Sequence, residues 1–208
     1  MTRPLAKPTT TRAEQRESTR ERIVEAALAA FAEKGFRGAS TREIAQRADT
    51  NQGLITYHFK SKDDLWRAAA DRIFDLLQQS IEVQLGSREF SDPRERARAA
   101  IRTYVRFAAE HPELFRLMVD EGKNSEERME WLVDTHLKPR FDALFQATAE
   151  SITGNDASMF PHAYYVMAGA GSMMFAVAPE CRRLTGMDPE TEEAVERHGE
   201  FLARLLVP

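Results

Sequence analysis

The chain has 208 residues, 42% of them hydrophobic and 30% charged, which is the make-up of an ordinary globular protein with room for one core or two. No apolar run approaches the roughly 20 residues that span a bilayer, Met1 to Ser18 lacks a signal-peptide core, and the single Cys181 excludes an intrachain disulfide, so the expected location is cytoplasmic. The net charge of −4 hides an asymmetry: residues 1–60 hold 11 Lys and Arg against 7 Asp and Glu, and the rest hold 18 against 26, which fits either a polyanion-binding head on an acidic body or an ordinary solvated surface.

In chain order, residues 1–17 carry Arg3, Lys7 and Arg12 among Thr and Pro and read as a flexible basic arm, which either touches a polyanion or does nothing. Ser18-Thr19-Arg20-Glu21 has the form of a capping box and predicts a helix start, followed by Ile23, Ala27, Ala30 and Phe31 at helical spacing and a stop at Gly35. Ser40-Thr41-Arg42-Glu43 is a second box ahead of Ile44, Ala45 and Ala48, with Asp49 able to take the turn conformation that ends the helix. Asn51 caps a short helix to about His58. Ser61 with Asp64 caps a longer one that turns Leu65, Ala69, Ile73, Leu76, Leu77 and Ile81 inward and ends near Gly86.

Asp92-Pro93 opens the next helix, which His111-Pro112 breaks, and a short piece from Glu113 ends at Gly122. Glu126 to Ile152 reads as one helix or two, interrupted or kinked at Pro139. Met159 to Ala178 is apolar on almost every side and predicts a helix buried all round. Pro189 starts the last helix, Glu190 to Leu206. The expected fold is all-α, with domains at 18–62 and 63–208 behind the arm.

The stretch Gln52-Gly53-Leu54-Ile55-Thr56-Tyr57-His58 places amide, hydroxyl, phenol and imidazole groups where a helix facing water would carry Lys and Glu. With the helix before it and a turn between, it has the form of a helix-turn-helix, whose second helix enters the DNA major groove. Thr41, Arg42 and Lys62 stand at helix N-termini, where free N–H groups attract phosphate. Tyr57 and His58 can donate to phosphates; Asn51, Gln52 and Thr56 can reach base edges; Gly53 lets backbone approach the duplex.

Together with the preceding Ala26 to Ser40, these residues resemble the N-terminal domain of TetR-family transcriptional regulators over roughly Thr19 to Ala70. A helix ending Phe-x-x-x-Gly-Phe, Ile-Ala, and Gly-x-x-x-Tyr-His-Phe-x-x-Lys-x-x-Leu carry the likeness. It implies DNA contacts at Thr41, Arg42, Gln52, Gly53, Tyr57, His58 and Lys62. Asp49, Thr50, Leu54 and Thr56 depart from the usual pattern and bear on base preference. The resemblance further implies a homodimer built on the last two long helices, a palindromic operator, a small-molecule effector of largely apolar character and a repressor released by it.

The small residues of Ala168 to Ser172, among them Gly169, Gly171 and Ser172, make sense where another backbone comes close, either a second subunit or the same one. Leu202, Leu205 and Leu206 would supply the partner surface. Candidates for the effector pocket are Phe107, His111, Phe115, Met118, Trp131, His136, Phe141, Tyr165 and Met167, although a Met and aromatic stripe also suits a plain core. Five scattered histidines with no i, i+4 pair give no metal site, and the absence of a phosphate loop or nucleophile motif argues for no enzyme and no cofactor. Glu126-Glu127 and Asp63-Asp64 read as caps or solvated faces. The competing expectations are a DNA-binding dimer without a ligand and a helical enzyme.

Overall fold

The structure, a computed structural model, describes residues 11–86, 88–123 and 127–208, and among these every regular element is helical. The basic residues Arg3 and Lys7, and Glu126, lie outside the described residues. The chain divides into two compact units, one ending at Ala69 and one beginning at Ala70.

The first unit is built on α1 (Arg12–Gly38), α2 (Thr41–Arg47), α3 (Gln52–His58) and the start of α4 (Lys62–Ile81). α1 begins seven residues earlier than Ser18 suggested. Thr11 accepts from the Glu14 N–H at 3.2 Å and Glu14 accepts from the Thr11 N–H at 2.6 Å, so the capping box sits here, and Ser18 lies within the helix. Arg12 to Glu17 are therefore helical, a correction to the flexible arm. Gly35 takes φ 69°, kinking α1 before its last three residues.

The second cap is half a box. Ser40 accepts from the Glu43 N–H at 3.1 Å, but the Glu43 carboxylate turns to Lys34 and Arg47, each at 2.7 Å. Arg47 also meets Glu33 at 2.6 Å. Each pair is partly exposed and individually weak; together they fix α2 against α1. Asp49 stands at φ 48°, with its N–H bonded to Gln46 O and that of Thr50 to Ala45 O. That is the two-bond helix ending usually made by glycine, here made by aspartate, whose short side chain tolerates the left-handed region.

The second unit contains α5 (Pro93–Glu110), α6 (Glu113–Glu121), α7 (Glu127–Leu132), α8 (Lys138–Thr153), α9 (Phe160–Ala170), α10 (Met173–Ala176), α11 (Ala178–Thr185) and α12 (Glu192–Leu206). Its core joins Ile101 and Val105 of α5 to Met167, Phe175, Leu202 and Val207. Wide turns of i→i+5 type close α4 at Glu82–Gly86 and separate α7 from α8 at Val133–Leu137. The second explains how Pro139 is tolerated: it falls in the first turn of α8, where its missing N–H has no helical partner to lose.

Met159 to Ala178 is not one helix buried all round. Gly171 and Ser172 interrupt it, and Tyr165 and Met173 are 75% and 58% exposed. Arg116 of α6 donates to the Ala176 carbonyl at 2.8 and 2.9 Å, satisfying a group that the broken helix leaves open.

Candidate nucleic-acid interface and the C-terminal sites

α3 is seven residues long, too short to persist alone in water. Asn51 caps it by accepting from the Leu54 N–H at 3.0 Å, and Ile55 and Phe59 bury themselves in the head at 3% and 6% exposure. Those two anchors push everything else outward: Gln52, Gly53, Thr56 and Tyr57 are exposed and His58 half-buried. Tyr57, at 63% exposure, is the most open aromatic of the head. Gln52 and Thr56 lie one turn apart on one face, and the Gln52 amide donates to Thr41 Oγ1 at 3.2 Å, joining α2 and α3 in a single polar surface. Arg42 is exposed beside them. Lys62 places its ammonium 4.7 Å from the Phe36 ring at the start of α4, where Ser61 caps by accepting from the Asp64 N–H.

The nine residues expected at DNA thus lie in one unit, with two refinements. The Asn51 carbonyl oxygen is committed to its cap, so only its amide NH₂ is left for a base. A Cβ on Gly53 would come within 3.1 Å of that same oxygen, so the glycine makes room for the cap.

Sequence reasoning missed two members of this surface. Arg16 lies over the Tyr57 ring at 5.4 Å and Arg20 over Phe59 at 5.5 Å. The repeat Arg12, Arg16, Arg20, one per helical turn, was the available signal, obscured by assigning Arg12 and Arg16 to an arm and Arg20 to a cap. Leu54, 37% exposed on α3, adds an apolar group of the kind that meets a thymine methyl. Burial first, and then the charges of Arg16 and Arg20, hold His58 below the ordinary histidine value, so near pH 7 its ring is neutral and donates through one N–H.

In the C-terminal unit the pocket candidates scatter. Phe107 is buried with its ring 4.7 Å from His111, and Met167 belongs to the core. Phe141 packs on Phe160 and Tyr164, whereas Tyr165 points to solvent. Phe115, Met118 and Trp131 are half-buried. None of the nine lines either of two cavities, of about 350 and 530 Å³, which open along α5 and α12 and along the outer face of α12.

His136 is buried in the turn before α8, stacked 4.5 Å from Phe74 and 2.9 Å from Asp71 Oδ1. Burial outweighs the aspartate and lowers its pKa from 6.5. The unfolded chain therefore takes up a proton that the fold refuses, so stability falls as pH drops from about 6.5 through the lowered value and levels off below it. His136→Gln should shrink the loss in melting temperature between pH 7 and pH 5; an unchanged loss would refute this assignment.

The residues expected at a dimer contact divide in the same way. Leu202 is fully buried in its own subunit, a correction to its place on the outer face, because the helical phase turns Phe201 outward instead. Gly171 and Ser172 are approached from within the subunit: a Cβ at Gly171 would lie 3.1 Å from the Tyr104 ring, and the Ser172 and Tyr104 hydroxyls share a 2.7 Å hydrogen bond. Gly169 faces open space, Leu206 is half-buried, and Leu205 is 58% exposed.

A capped pair of short helices with a polar, aromatic second helix defines a helix-turn-helix. Residues 23–69 match the model of the tetR family of bacterial regulatory proteins, so the head is a TetR-family DNA-binding domain. The chain is 40% identical over 91 residues to the transcriptional dual regulator CecR of Shigella flexneri, covering 43% of this chain and 40% of that one. It is 29% identical over 111 residues to the transcriptional repressor NicS of Pseudomonas putida, covering 53% and 51%. The match thus spans about half the length of these curated relatives. A TetR-like regulator from Rhodococcus sp. RHA1 shares the fold over 94% of this chain and 96% of its own, with a TM-score of 0.64 and 22% identity. Among the described residues no helix is long and apolar enough to cross a membrane.

Proposed function

We propose that the chain is a ligand-responsive transcriptional repressor, working in the cytoplasm, that binds a palindromic operator as a homodimer and is released by a small molecule in its C-terminal domain. Residues 18–62 would form the DNA-binding domain and 63–208 the regulatory and dimerisation domain. The outward face of α3 carries this reading. Its exposed polar and aromatic side chains do not serve the core, and arginines from α1 gather beside them.

In this reading Thr41, Arg42, Tyr57, His58 and Lys62 hold phosphates, and Gln52 and Thr56 read bases, with the Asn51 amide close to them. Gln52 releases Thr41 to do so. The half-buried Phe115, Met118, Trp131 and Phe141 offer a largely apolar effector its contacts. An effector releases DNA only by binding one arrangement of the two heads better than the other.

The test is selection of duplexes from a random pool by the full chain, followed by titration of variants against the selected site and a scrambled one. Tyr57→Ala should weaken both alike. Gln52→Ala should change the preferred sequence, at about 1–3 kcal/mol on the selected site. Affinity should fall steeply with salt as phosphate counterions are released. A well-folded chain that ignores every duplex at low salt would end the proposal.

A further inference from the structure

The cavity of about 350 Å³ along α5 is lined by none of the half-buried aromatic side chains of α6 to α8. Its size is at the lower end of small-molecule pockets, roughly 300–1,000 Å³. Ala99 and Val195, 6% and 7% exposed, supply apolar lining, together with Leu85 from the wide turn that closes α4.

Three arginines, Arg88, Arg102 and Arg106, line it against two glutamates, Glu196 and Glu200. Arg102 reaches Glu200 at 3.1 Å and Arg106 reaches Glu196 at 3.4 Å. Arg88 lies 4.9 Å over the Phe90 ring and has no carboxylate partner among the described residues. Arg102 has a second carboxylate in Glu95 at 3.6 Å, so Arg88 is the lining arginine left for an anion. Thr103, 7% exposed, also lines the cavity, and its hydroxyl has no hydrogen-bond partner among the described residues. The hydroxyl opens on the cavity, where a ligand atom can meet it.

We propose that this cavity is a binding site for a small organic monocarboxylate. The carboxylate would accept from Arg88 and from the Thr103 hydroxyl, and a short apolar stem would lie on Ala99, Val195 and Leu85. A monoanion neutralises the lining as it stands, whereas a dianion would have to compete with the two glutamates. The Arg106–Glu196 pair is 3.4 Å long and solvent-exposed, so it yields to a ligand at little cost. Glu200 borders the second cavity too, on the outer face of α12. It accepts from Arg102 and from Arg204, so a ligand that draws Arg102 away alters that face.

The test is calorimetric titration of the full chain with sodium hexanoate and with sodium benzoate at constant ionic strength, with hexanamide and benzamide as neutral controls. At least one acid should bind, with a Kd below about 10 mM, and its amide should not. Arg88→Gln should weaken binding at least tenfold and Thr103→Val, which preserves shape, severalfold, while both keep the wild-type melting profile. Arg183→Gln, on α11, should change nothing. The proposal is overturned if neither acid binds, if amides bind as well as acids, or if Arg88→Gln and Thr103→Val retain wild-type affinity. None of these outcomes depends on DNA binding, so failure here leaves the repressor reading intact.

Discussion

For the proposed homodimer, Phe201→Asp combined with Leu205→Asp is expected to give a monomer and to lower operator affinity by roughly a hundredfold or more, since two heads joined in one particle gain that much over one. Both side chains stand out from α12 one turn apart, 63% and 58% exposed, in the wall of the larger cavity. Tyr165 and Met173 add exposed apolar surface elsewhere in the C-terminal unit. Apolar patches of this kind on a chain mark a contact surface. In a two-fold interface each aspartate would meet a second copy of the same patch, so the repulsion is doubled by symmetry. Light scattering should give the monomer mass, and the circular dichroism spectrum should be unchanged. Leu202→Asp makes the contrasting control: that residue is fully buried within the subunit, so its substitution should unfold the chain. A double variant that stays dimeric would move the interface away from α12.

The boundaries that could be read in the sequence are those written in neighbouring residues. Ser40, Asn51, Ser61 and Asp92 each accept from a backbone N–H two or three positions ahead, a rule that needs no tertiary information. Thr11 and Ser18 both head a sequence of capping form, and the polar run between them has no apolar stripe by which to choose. The polar face of α3 was legible because its residue types are wrong for a solvated helix. The ring contact between Arg16 and Tyr57 was not, since it joins residues 41 positions apart. Gly171 shows the same limit. Its small size signalled a close approach, but only the fold names Tyr104 as the neighbour. The choice between Phe201 and Leu202 depended on the phase of α12, one residue either way. The carboxylate cavity lies between α5 and α12, and no local spacing announces it.

Phe31→Ala should cost about 3–5 kcal/mol, as expected for emptying a buried aromatic site, against a domain stability of roughly 5–15 kcal/mol. Phe31 is 1% exposed, and its ring stacks on Phe36 at 5.9 Å. Its loss removes packing from the head that also buries Ile23, Ala27, Ile44, Ile55 and Phe59. The effect on DNA should exceed that on the fold as a whole. α3 has no stability of its own, and the position of Tyr57, Gln52 and Thr56 depends on Ile55 and Phe59 staying buried. Loosening that core disperses the contact face even where much helix remains. The expected outcome is a lower melting temperature with specific and non-specific DNA affinity lost together, unlike Gln52→Ala, which redistributes affinity among sequences. Phe31→Leu, which refills most of the volume, should restore most of both. If Phe31→Ala melted normally and still bound its operator, the outward presentation of α3 would have to be maintained by something other than this core.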